Sequence, residues 1–164
     1  MRLASIAKYL VIACVLACGM ALAGCAAGPS QNMTEEQQAN RAYMSQVNEA
    51  MVELDANLDS FVDAVSRGDV VNMRTQADNA YKALDKLESL EAPETLADVR
   101  KSYVDGTSKL RKALDEYVSL YTAADKAGDS FDWSTYDKQI SEIQKLYDEG
   151  VAALEQGDKT AAEA

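Results

Sequence analysis

The sequence predicts an all-α fold, an antiparallel up-down-up-down four-helix bundle, on three observations. The body is rich in Ala, Leu, Glu, Lys and Gln, which favour helix, and no alternating β-branched run competes with them. Apolar residues recur in steps of three or four along four separate segments. Short turns carrying Gly, Pro or Asp divide these segments, and short connections make sequential helices antiparallel neighbours.

The first helix begins at Thr34, whose hydroxyl and the Gln37 amide have the spacing of a capping box. Its stripe is Tyr43, Val47, Met51, Leu54, Leu58, Phe61 and Val65. Gly68 suits the left-handed position that ends a helix, and Asp69 can cap the next one. The second helix carries Val70, Met73, Ala77, Tyr81, Leu84 and Leu87, and stops before Ala92-Pro93 because a residue preceding proline is biased away from helix. Leu96, Val99, Tyr103, Leu110, Leu114, Tyr117 and Tyr121 mark the third, which ends at Ala127-Gly128-Asp129. Asp132 is placed to cap the fourth, with Trp133, Tyr136, Ile140, Ile143, Tyr147, Val151 and Leu154 on its stripe. The bundle domain is thus expected over 34–157, with 158–164 a disordered tail. An α-solenoid fragment would need more repeats to bury its faces, and no fixed-period repeat stands out.

The N-terminal region has a different character. Arg2 and Lys8 precede an uncharged apolar run from Tyr9 to Leu22, the charged and apolar parts of a secretory signal. The run is too short and too poorly flanked for a good spanning helix. It ends in Leu22-Ala23-Gly24-Cys25, which resembles the bacterial lipobox. That resemblance implies transfer of a diacylglycerol to the Cys25 sulfur and cleavage between Gly24 and Cys25. Residues 1–24 would then be a lipoprotein signal peptide and 25–33 a lipidated, flexible tether containing Gly28-Pro29. The chemistry agrees. Small residues at 23 and 24 let an extended backbone enter a narrow protease groove, and a thiol is the only side chain there able to form a thioether. Two acyl chains, at roughly 0.8 kcal/mol per buried methylene, anchor a protein stably where one is marginal. The alternatives are an ordinary secretory signal that leaves Cys25 a free thiol, and an uncleaved helical anchor weakened by Gly19, Gly24 and Gly28.

All three cysteines lie in this region. Cys14 and Cys18 read as small apolar fillers of the signal, so with Cys25 acylated no disulfide is expected. The stretch LESLEAPETLADVRKSYVDGTSKLRKALDEY, an apolar helix end, a proline turn and a long amphipathic helix, is similar to the small, mostly uncharacterised helical lipoproteins of Gram-positive bacteria. This implies a helical domain on the extracytoplasmic face of the cell membrane and carries no known site across.

Charge narrows the partners. The chain has 16 basic and 27 acidic side chains, a net of −11. Removing 1–24 takes away Arg2 and Lys8 and no acid, leaving 14 against 27, a net of −13. Nucleic acid is disfavoured, as is adsorption to anionic lipid, so the acyl anchor must supply the membrane affinity. Histidine is absent, which removes the commonest general base and transition-metal ligand.

Three constellations remain. Asp55, Asp59 and Asp63 line one helix face, where a solvated acidic surface explains them and no histidine completes a bundle metal site. Arg100, Lys101, Arg111 and Lys112 cluster when the third helix is wound at about 100° per residue. This patch either docks an anionic partner or is matched by Asp98, Asp105, Asp115 and Glu116. Finally, Gly106 interrupts the third stripe and falls level with Gly150 to Ala153 if the last two helices fold back around 128–131. Folding the second helix onto the third about Pro93 brings Ala80 and Tyr81 to that level. This layer, ringed by Tyr81, Tyr103 and Tyr147, is either a tight waist or a small-ligand pocket.

No nucleophile with its base, phosphate loop or metal cage is evident, so neither catalysis nor a cofactor beyond the diacylglycerol on Cys25 is expected. The expected role is a membrane-anchored binding or interaction module of the cell envelope, meeting an envelope protein. A small-ligand receptor and a structural spacer are the alternatives, and nothing in the sequence sets the oligomeric state.

Overall fold

A computed structural model describes residues 33–164. The segment expected to be a signal peptide, the lipobox-like Leu22-Ala23-Gly24-Cys25, and all of the expected tether but Met33 lie outside the described residues. Four helices follow in order: α1 Glu35–Ser66, α2 Val70–Ser89, α3 Ala97–Ala127 and α4 Tyr136–Glu163. No strand occurs among the described residues, and the fold is an all-α four-helix bundle.

Local chemistry explains the boundaries. Thr34 Oγ1 accepts from the Gln37 amide N–H while the Gln37 side chain accepts from the Thr34 N–H, closing both halves of the capping box. At the other end of α1, the Gly68 N–H bonds Val65 O and the Asp69 N–H bonds Ala64 O. That double closure requires a left-handed residue, and Gly68 adopts φ 68°. Asp69 then accepts from the Asn72 N–H and starts α2. Between α2 and α3 the chain is extended to Pro93 and makes a 3₁₀ turn over Glu94–Leu96.

The polar contacts fix the directions. Arg74 meets Thr122 and Tyr81 meets Asp115, so α2 and α3 run antiparallel. Tyr103 meets Asp158, and Leu110 meets Gly150, so α3 and α4 do too. Asn40 bonds Thr95 near one end of the bundle and Phe61 packs edge-on against Tyr117 toward the other, so α1 and α3 are parallel. The predicted stripe of α1 is buried throughout, and α2 adds Met73, Leu84 and Leu87. Alanines at 50, 64, 77, 80 and 83 are buried on the two facing helices, which lets α1 and α2 approach closely.

Two expectations are corrected. Asp132 caps a 3₁₀ turn, Trp133–Thr135, by accepting from the Ser134 N–H, and α4 begins only at Tyr136. Trp133 is therefore off the α4 stripe and 41% exposed. Residues 158–164 are not a disordered tail: α4 continues through Glu163. The reason is the pairing at its end. Gly157 lies against the Tyr103 ring, and Asp158 accepts from the Tyr103 hydroxyl at 2.6 Å.

Candidate functional site

The glycine layer is a waist. A Cβ on Gly106 would lie 2.7 Å from Leu154 Cδ2 and 2.9 Å from the Gly150 carbonyl oxygen. One on Gly150 would lie 2.8 Å from Leu110 Cγ. Both contacts are closer than real Cβ atoms make, so α3 and α4 have closed over the missing side chains and no ligand space remains.

The tyrosine ring is dispersed for the same geometric reason. Residues 90–96 cross between α2 and α3 instead of folding tightly about Pro93, so Tyr81 stands opposite Asp115, more than two turns from Gly106. Tyr81 donates to the Asp115 carboxylate, and Arg111 lies over its ring at 5.4 Å. Burial and that hydrogen bond push the Tyr81 hydroxyl well above its ordinary pKa. Tyr147 instead lines a small cavity of about 30 Å³ with Leu58, Phe61, Ala113 and Tyr117, where α1 meets α3 and α4. Of the five residues predicted to ring a pocket, only Gly106 and Gly150 share a layer, with Tyr103 a turn away against Gly157.

The basic patch is largely committed to the scaffold. Arg100 donates through Nε to Leu90 O at 2.9 Å and through Nη2 to Glu88 O at 3.3 Å, closing the end of α2. Arg111 pairs with Asp85 across the α2–α3 interface. Lys112 lies 3.8 Å from Glu116 on its own helix, and exposed Lys101 lines a groove that also holds Asp98, Asp105, Lys109 and Glu149. A coherent anion-docking face is not formed. Asp55 is held above the ordinary carboxylate range by burial and by Asp59, and Asp63 pairs with Arg67. Among the described residues no group of three or more His, Cys, Asp or Glu side chains is placed to hold a metal ion.

Sequence reasoning missed a cleft between the second half of α3 and the first half of α4. Its volume is about 620 Å³. Leu120, Ala123, Phe131 and Ile143 supply apolar lining, and Asp115, Glu116, Asp132 and Glu142 supply carboxylates. Phe131 packs edge-on against Trp133 at 4.7 Å between centroids, and Trp133 lies 5.2 Å from Tyr136. The Ser134 N–H and hydroxyl hold the Asp132 carboxyl below its ordinary range. The signal available in the sequence was Trp133 falling within the turn region with Phe131 beside it.

No helix among the described residues is long and apolar enough to cross a membrane. No family model, curated protein or solved structure matches this chain.

Proposed function

We propose that this protein is a lipoprotein held on the extracytoplasmic face of a cell membrane through a diacylglycerol on Cys25, and that its bundle is a non-enzymatic interaction module of the envelope. The observation that carries the reading is Leu22-Ala23-Gly24-Cys25 at the end of an uncharged apolar run, a short tether ahead of the capped start of α1. The bundle suits such a role. At 1.5 Å per residue, the 32 residues of α1 span about 48 Å, so the turns at Gly68 and Gly128 stand far from the tethered end. Its larger concavities are open grooves on helix faces, a form suited to a macromolecular partner. The closed Gly106 layer removes the pocket on which the small-ligand alternative rested.

Cells expressing the chain are fed an alkyne-tagged fatty acid and then fractionated. The wild type should carry the tag and sediment with membranes, whereas Cys25→Ser should lack the tag and retain residues 1–24. Tagging and processing of the serine form at wild-type levels would overturn the assignment.

A further inference from the structure

The cleft between α3 and α4 differs in charge from its neighbours. Two other open grooves of similar size occur among the described residues. The α2–α3 groove, about 580 Å³, mixes Arg74 and Lys126 with Asp78. The second α3–α4 groove, about 640 Å³, mixes Lys101 and Lys109 with three acids. The 620 Å³ cleft has four carboxylates in its lining and no Lys or Arg. Lys112 and Lys138 flank it, but each reaches its acid only at 3.8 and 3.7 Å from well-exposed positions, contacts of little energetic weight.

Distribution matters as much as sign. Glu116 and Glu142 lie at the lower end, with Asp115 beside them already accepting from the Tyr81 hydroxyl; Asp132, which accepts from the Ser134 N–H, lies at the upper end, and Leu120 and Ala123 lie between. Residues 115 to 123 of α3, and Thr135 with the first two turns of α4 to Ile143, bound the cleft, a length of about 12 Å, or two helical turns. Trp133 does not line the cleft but adjoins its upper end through Phe131, on which it packs, and it is 41% exposed. Exposed tryptophan beside an apolar floor rimmed by charge is the composition of a protein-contact surface, and an indole face also attracts guanidinium and ammonium groups.

We infer that this cleft is a docking surface for a Lys- or Arg-bearing polypeptide segment with an apolar face, two helical turns in extent. Its cationic side chains meet the carboxylates at the two ends, its apolar side chains cover Leu120 and Phe131, and one of its cations lies against Trp133. The inference rests on the interaction-module reading and names the surface that reading requires. Anchoring is tested at Cys25 and docking is tested here, so either can fail while the other stands.

Trp133 is the one tryptophan in the chain, so its emission reports on this place alone. The full-length protein in nonionic detergent is titrated with a synthetic fourteen-residue peptide of alanine, lysine and arginine that contains no tryptophan. Binding should shift Trp133 emission and weaken steeply with salt. The double variant Glu116→Gln/Glu142→Gln should lose at least tenfold in affinity, whereas Asp98→Asn/Glu149→Gln, with the same net charge in the neighbouring groove, should lose less than twofold. An unmoved Trp133 signal would overturn the inference. Equal losses in both double variants would reduce the binding to net charge and also overturn it. Spermidine alone binding as tightly as the peptide would replace the polypeptide with a small polycation.

Discussion

Leu154 occupies the space that a side chain on Gly106 would need, with a Cβ there falling 2.7 Å from its Cδ2. The backbone oxygen of Gly150, at 2.9 Å, closes the other escape. Replacing glycine by alanine within a helix favours folding by about 1 kcal/mol, whereas overpacking a closed core costs about 1–3 kcal/mol. Because one of the clashing atoms is backbone and cannot rotate away, Gly106→Ala should destabilise by about 1 kcal/mol and Gly106→Leu by about 3 kcal/mol. Urea denaturation checks both, and a wild-type midpoint for the leucine form would mean that the layer has room.

Tyr43 leads to the opposite sign. Its ring is 3% exposed, and its hydroxyl is buried with no hydrogen-bond partner among the described residues. An unsatisfied buried hydroxyl carries a desolvation cost of about 1–3 kcal/mol. Tyr43→Phe removes the oxygen and keeps the ring, so it should raise stability by about 1 kcal/mol. The same denaturation experiment reads this, and a loss of that size would reveal a partner.

Arg100 acts through backbone rather than through another charge. Its guanidinium reaches the Leu90 and Glu88 carbonyls together, groups that a helix end leaves without partners. Arg100→Ala should cost about 1–2 kcal/mol, and Arg100→Lys should recover less than half of that, because a single ammonium lacks the fork. Hydrogen exchange in the last turn of α2 should quicken in both. Unchanged exchange there would remove the capping role.

Alkaline pH should unfold the bundle through its tyrosines. Burial raises the hydroxyl pKa of Tyr43, Tyr117, Tyr121 and Tyr136, with further contributions at Tyr117 from Tyr136 and Tyr121. In the unfolded chain these groups lose protons near pH 10, while the folded state still holds them. The folded state then binds more protons, so their contribution to stability is complete below pH 10 and falls as pH rises toward the folded values. For the 6%-exposed Tyr117 the slope approaches about 1.4 kcal/mol per pH unit. Stability followed from pH 8 to 12 should be level and then decline, with tyrosinate absorbance appearing together with unfolding. Tyrosinate absorbance that rises near pH 10 with the bundle still folded would contradict this.

Local chemistry made much of the fold legible. Thr34 with Gln37, Gly68 and Asp69 each act through neighbours a few residues away, and each adopts the role its type and spacing predict. The stripe of α1 follows from the helical period alone. What escaped prediction depends on register between helices. A pivot at Pro93 puts Tyr81 and Gly106 in one layer, but the extended segment before it and the 3₁₀ turn after it displace α3 along α2. Arg100 and Arg111 read as a surface patch because the Leu90 carbonyl and Asp85 become their neighbours only once the helices are aligned. By its spacing Trp133 falls on a buried stripe, because nothing local distinguishes a 3₁₀ turn from the first turn of α4.

The bonds that Arg100, Arg111 and Lys86 make across helix junctions affect how one molecule meets another. Each of these cations faces groups on an adjacent helix, Lys86 toward Glu49 and Glu53 on α1. These three cations thus tie helix to helix, while the acids of the chain outnumber its bases, 27 to 16. Two copies drawing side by side therefore confront like sign with like sign over a range of about 8 Å in physiological saline. Self-crowding is opposed by the same arrangement that holds the helices in register, and raising the salt concentration relaxes the mutual repulsion without loosening the apolar core.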